Sequence, residues 1–232
     1  MVKANGSDGG RSLAGQAYDR LRRDILRCHI KPGQEVTEAQ LAAQYRLGKT
    51  PVREGLARLV HEGLVHPLPR RGYRVAPITI GNVKELLGFR LIVETQAAKL
   101  AAGRCNVAQL RRLDELCAVG YDPNDAKSLE RFLRANRELH TTIAAAAGNR
   151  KLAQVITQLL DEVERVLYMA LELGGRRVPM SHAHRSVVDA LAAGDGEAAA
   201  AAIEEQIRGV ERMILEAAIE SPRLSVVNLA AV

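Results

Sequence analysis

A chain of 232 residues with 47% hydrophobic content can bury a core without disulfides or a structural metal. Residues 1–10 are polar and glycine-rich rather than signal-like, and no run of about 18 apolar residues is available to span a bilayer, so the reading is a cytoplasmic protein with no membrane partner. Its net charge of +6 is uneven: residues 11–79 hold 13 Lys/Arg against 6 Asp/Glu, whereas residues 80–232 hold 19 against 20, the pattern of a nucleic-acid-binding head on a neutral body.

Cys28, Cys105 and Cys117 are odd in number and widely spaced, which argues against a disulfide framework or a thiolate zinc site. With 3% aromatic residues and no tryptophan, the chain also lacks the stacking platforms of a single-strand binder.

Residues 16–28 place Ala17, Leu21, Ile25 and Cys28 at helical spacing, which predicts an amphipathic first helix. A turn follows at residues 31–34. Thr37, with Gln40 three residues on, predicts a capping box for a short second helix over residues 38–45. Thr50-Pro51 predicts the start of a third helix running to about Glu62, because proline is tolerated in a first turn and pushes its predecessor out of the helical region.

Val52, Leu56, Leu59 and Val60 form the apolar stripe of this third helix, leaving Lys49, Thr50, Arg53 and Arg58 available at or near its N-terminal half. Two such helices around a tight turn are a helix-turn-helix, whose second helix enters the major groove by its N-terminal residues. Gly63 ends the helix, residues 64–68 and 73–76 read as strands, and residues 69–72 as the turn between them, so an arginine-tipped hairpin follows: a wing.

Residues 14–79 as a whole, with the KPG turn, the TPVRE helix start, the EGLV strand approach and the RRGYRV hairpin in order, resemble the winged helix-turn-helix of GntR-family regulators. The resemblance implies DNA contacts from Lys49, Thr50 and Arg53 on the third helix and from Arg70, Arg71 and Gly72 on the wing, with Arg53 suited to guanine. Two departures stand out. Gly55 occupies a position that is usually alanine, which weakens the helix by about 1 kcal/mol unless close packing requires it. Ala39 stands where some members carry a DNA-contacting arginine.

Beyond Pro77 the pattern predicts helices at about 82–102, 107–119, 125–147, 150–173, 180–193 and 195–219, an all-helical bundle. Projected at 100 degrees per residue, several polar groups fall inside apolar stripes: Arg90 and Glu94, then Asn136 and His140, then His184, then Gln206, whereas His182 points away from His184. Burying them is costly unless they satisfy one another, a metal or a ligand, so they predict a chamber.

The segments ERFLRANRELHTTIAAAAGNRKL and HAHRSVVDALAAGDGEAAAAAIEEQI resemble the helical ligand-binding FCD domain of the FadR subfamily. That resemblance implies an effector site of Arg90, Asn136, His140, His184 and Gln206, with Arg90 facing the carboxylate of a small organic acid or pairing with Glu94. It also implies a divalent metal, zinc or nickel, on His140, His184 and Asn136, although Asn136 and Gln206 replace the family's aspartate and last histidine and supply no anionic ligand.

The expected fold class is mainly α: an N-terminal winged helix-turn-helix with a small β-hairpin wing, then an all-α helical bundle. Expected domains are a flexible tail at 1–13, the DNA-binding domain at 14–79, an effector-binding and dimerisation domain at 80–221 and a second tail at 222–232. Function reads as a homodimeric, ligand-responsive regulator of double-stranded operator DNA, a repressor by resemblance, and not an enzyme. The competitors are a metal-dependent enzyme using His140 and His184 and an architectural DNA-binding protein. The former lacks a positioned carboxylate base and any nucleophile or P-loop pattern.

Overall fold

Local capping and glycine signals set most of the element boundaries. The computed structural model describes residues 12–122, 125–174 and 183–220, and contacts group the chain into two units, Met1–Pro77 and Ile78–Val232.

In the first unit, α1 (Leu13–Leu26) begins earlier than its apolar pattern implies because the Ser12 side chain accepts a hydrogen bond from the Gly15 N–H. It also ends earlier. Cys28 takes φ +55°, outside the helix, and is half-buried rather than part of the apolar stripe. The capping box that starts α2 (Glu38–Tyr45) is formed as expected between Thr37 and Gln40. The third helix, α3 (Lys49–His61), starts one residue before the expected Thr50, with Gly48 as its cap, so that Pro51 still falls in the first turn where no N–H is needed.

Three antiparallel strands complete this unit: β1 (Glu35–Val36), β2 (Val65–Leu68) and β3 (Gly72–Val75), in the order β1-β3-β2. The β2-β3 hairpin is the expected wing, in the register Val65 to Val75 and Leu68 to Gly72. β1 was not expected, since two residues are too few to show a period. Gly72 joins these strands: its φ is +107°, and an added Cβ would meet the Val36 carbonyl oxygen at 2.3 Å. Leu21, Ile25, Leu41, Val52, Leu56, Leu59, Val65 and Val75 form the core, each worth about 1.5–3 kcal/mol on full burial of a side chain of this size.

Gly55 also has a packing reason. A Cβ there would stand 3.0 Å from the Tyr18 nitrogen, 3.2 Å from the Tyr18 Cα and 3.3 Å from the Ala17 carbonyl carbon, so α1 and α3 approach backbone to backbone. The glycine that departs from the usual alanine is what this spacing accommodates.

The second unit is helical throughout its described residues: α4 (Ile80–Ala101), α5 (Val107–Ala118), α6 (Ala126–Ala146), α7 (Arg150–Gly174), α8 (Ala183–Ala193) and α9 (Gly196–Glu220). The expected residues 180–182, His182 among them, lie outside the described residues. Side-chain caps mark helix starts: Thr79 accepts from Asn82 N, Asn106 from Gln109 N, Asp125 from Lys127 N and Asp195 from Ala198 N. α4 packs on α9, α7 and α6, and α9 packs also on α8 and α7. Residues 165–171 of α7 are buried without interruption, so this stretch has no solvent face.

Candidate functional site

Two clusters of candidate residues emerge, one in each unit. In the first, the N-terminal turn of α3 presents Lys49, Thr50 and Arg53 as exposed side chains. Arg53 is not a free fork: its Nε donates to both oxygens of Glu38, at 3.0 and 3.1 Å, and its Nη2 donates to Oε2 at 2.9 Å. The Tyr73 hydroxyl of β3 donates to Glu38 as well, at 3.4 Å. Hydrogen bonding to Arg53 holds the Glu38 carboxyl below its usual range. One glutamate therefore links α2, α3 and the wing.

In the wing turn, Arg70 takes φ +62° and is exposed, while Arg71 pairs with Glu35 at 3.1 Å, a carboxylate shared with Arg74 at 2.7 Å. Gly72 serves the backbone of this turn. Arg58, grouped by sequence with the N-terminal half of α3, instead stacks on Tyr18, its Cζ 3.5 Å from the ring centroid. Glu38 and Glu35 were missed as partners because their contacts span strands and helices far apart in sequence.

In the second unit, the polar groups picked out of the apolar stripes do converge. Arg90 and Glu94 from α4, Asn136 and His140 from α6, His184 from α8 and Gln206 from α9 are each 4% exposed or less. Arg90 Nε donates to Glu94 Oε1, and Arg90 Nη2 lies 3.1 Å from His140 Nε2. Glu94 Oε2 stands 2.6 Å from His140 Nδ1, an ion-pair distance, although Nδ1 makes no well-aligned hydrogen bond.

The other imidazole lies between two amides: His184 Nε2 is 2.7 Å from Gln206 Nε2 and 3.1 Å from Asn136 Oδ1. Gln206 Nε2 is also 3.2 Å from His140 Nε2, whereas Gln206 Oε1 is buried without a hydrogen-bond partner. Burial alone would raise the Glu94 carboxyl, but the positive charge of Arg90, the approach of His140 and the hydrogen bond from Arg90 outweigh it and hold it down to about 2. Burial, with the neighbouring His140 ring and the positive charge of Arg90, brings His184 down to about 3, so that ring is neutral.

The set does not fit the divalent metal expected on His140, His184 and Asn136. Among the described residues, no three His, Cys, Asp or Glu side chains are grouped to hold a metal ion. Zinc would sit about 2.0–2.1 Å from each imidazole nitrogen, yet the nitrogen standing between them belongs to the Gln206 amide, which has hydrogens and no free lone pair to offer. The nearby carboxylate, Glu94, faces Arg90 and the Nδ1 side of His140 instead.

Comparison with known proteins decides the family. The model for bacterial regulatory proteins of the gntR family matches residues 13–75, and the FCD domain model matches residues 85–209, more than half of the chain. The chain belongs to the GntR family. This GntR member, with its FCD domain, is a DNA-binding transcriptional regulator with a ligand-binding domain, and the enzyme and architectural alternatives have no support.

The GntR chain is 26% identical over 199 residues, 86% of its length and 87% of the relative's, to the HTH-type transcriptional repressor RspR of Escherichia coli K12. It is 29% identical over 201 residues, 84% of its length and 86% of the relative's, to a probable D-xylose utilization operon transcriptional repressor of Paenarthrobacter nicotinovorans. Its fold is similar to that of E. coli McbR/YncC, with a TM-score of 0.75 at 22% identity over 89% of this chain and 99% of the other. No helix among the described residues is long and apolar enough to cross a membrane.

Proposed function

We propose that this GntR regulator is a cytoplasmic repressor that binds operator DNA as a homodimer and changes its operator affinity when a small organic acid occupies the FCD chamber. The observation that carries the reading is the pairing of an exposed Lys49-Thr50-Arg53 helix start with an arginine wing in one unit and a buried polar cluster in the other. Lys49 and Thr50 suit phosphate contacts, Arg53 a guanine edge, and Arg70 and Arg71 the adjacent backbone, with Gly72 shaping the turn that carries them.

For the effector, Arg90, Asn136, His140, His184 and Gln206 are the binding set. The two named contacts of Arg90 engage two of the five N–H groups that a guanidinium carries, and the unpartnered Gln206 Oε1 accepts from an effector hydroxyl. Repression is supported by the relatives named as repressors. A homodimer is supported by Phe89 and Ile92, neighbours on α4 that are 46% and 66% exposed and that a second copy would cover. The domains are proposed to run 14–79 and 80–221, between tails at 1–13 and 222–232.

The test is a titration of the full chain onto its own promoter fragment in the presence of a panel of small organic acids. One acid should shift operator affinity by roughly five-fold or more, and Arg90→Ala should abolish that shift while DNA binding persists. A panel in which no acid changes affinity, or in which Arg90→Ala leaves the shift intact, contradicts the effector reading.

A further inference from the structure

Between the two chamber imidazoles, where a shared ligand would have to sit, stands a side-chain nitrogen of the protein itself. Gln206 Nε2 is 3.2 Å from His140 Nε2 and 2.7 Å from His184 Nε2, both hydrogen-bond distances. The contact of Glu94 with His140 Nδ1 assigns the proton to that nitrogen and leaves Nε2 as an acceptor facing Gln206 and Arg90. His184 Nε2 has the Gln206 amide nitrogen at 2.7 Å and the Asn136 oxygen at 3.1 Å; with its proton on Nδ1 the neutral ring accepts the Gln206 N–H, the shorter of the two contacts.

A dication on the same two nitrogens would displace the Gln206 amide and meet the fixed charge of Arg90, whose Nη2 lies 3.1 Å from one of them. It would gain no carboxylate in exchange. Asn136 offers a neutral oxygen, and Glu94 is committed to Arg90 and to the far side of the His140 ring.

We propose that the chamber of this chain is metal-free by construction: the Gln206 amide, backed by Arg90, takes the place of a bound cation and ties α6, α8 and α9 together through His140 and His184. Asn136 and Gln206 are thus the two positions that decide between a hydrogen-bonded centre and a metal centre. This hydrogen-bonded centre stands whichever effector binds, and with none.

The experiment measures metal content by mass spectrometry, and thermal unfolding with zinc, nickel or EDTA, on the full-length protein and on Asn136→Asp/Gln206→His. The wild-type protein should carry no stoichiometric metal, unfold at the same temperature with EDTA and show no saturable stabilisation by either ion. The double variant should take up one ion per chain, gain a saturable rise in Tm and lose both on adding His140→Ala.

Stoichiometric metal in the wild-type protein that His140→Ala removes, or a fall in its Tm on chelation, would overturn the proposal. A folded double variant that takes up no metal would overturn the assignment of Asn136 and Gln206 as the deciding positions. Because the wild-type arm needs no substitution, the proposal stays testable even if the double variant misfolds.

Discussion

Replacing Gly55 with alanine should destabilise the DNA-binding unit, although alanine is the better helix former. The propensity gain in a helix interior is about 1 kcal/mol. Against it stands a new Cβ at 3.0, 3.2 and 3.3 Å from three backbone atoms of α1, and overpacking of that kind costs about 1–3 kcal/mol.

The atoms met are helix backbone rather than the flexible end of a side chain, and α1 is held by Ala17, Leu21 and Ile25, each 1% exposed or less, so it cannot yield cheaply. The net expectation is a loss of roughly 1 kcal/mol, or about 4–8 °C for a unit of this size. Tyr18, Tyr45 and Tyr73 lie in this unit and only Tyr121 and Tyr168 in the other, so tyrosine fluorescence during thermal unfolding of the full chain is weighted toward it. Ala57→Gly, at an exposed position of the same helix, isolates the propensity contribution. A rise in stability on Gly55→Ala would refute the backbone-contact reasoning.

Three further outcomes follow from named contacts. Glu38→Gln should free the Arg53 fork and remove a negative charge beside the groove, lowering the ratio of specific to non-specific DNA affinity by roughly 5- to 150-fold, the equivalent of about 1–3 kcal/mol; an unchanged ratio in competition binding would show that Glu38 does not position Arg53. Gly72→Ala should weaken operator binding through the wing, since the left-handed turn and the Val36 carbonyl leave no space for a methyl group; near wild-type affinity would show that the wing is dispensable.

Burial, with the charge of Asp114 nearby, pushes the Cys117 thiol up to about 12, so at pH 8 it holds roughly a thousandfold less thiolate than an ordinary cysteine. Iodoacetamide should therefore label half-buried Cys28 well before Cys117, with Cys117 labelling growing only as pH rises toward its raised value. Equal rates in the folded protein would contradict that burial.

Much of the fold was legible because its signals are local. The Thr37-Gln40 capping box, the proline of the third helix and the glycines between bundle helices act over a few residues, and each helix start or end near them fell where expected within a residue or two. The convergence of the buried polar cluster was legible for a related reason: a buried polar group interrupts an apolar stripe at fixed helical spacing, so Arg90, Glu94, Asn136, His140, His184 and Gln206 could be selected one helix at a time.

What remained hidden were the pairings between elements. No short-range pattern joins Arg53 to Glu38 or Arg71 to Glu35, and the i, i+4 spacing of Arg90 and Glu94 discloses their pair without disclosing that His140 shares it. Helix propensity left Gly55 either a weak point or a site of close packing, and only the α1 backbone beside it decides for packing.

The reading of duplex DNA by α3 and the wing is tested most directly by fluorescence anisotropy of the full chain on a labelled fragment of its own promoter, competed with unlabelled bulk DNA at moderate ionic strength. The wild-type protein should resist competition, and Arg53→Ala should lose about 1–3 kcal/mol on the promoter while keeping its weaker non-specific binding. Equal affinity of the wild-type protein for promoter and bulk DNA would contradict the account at its base.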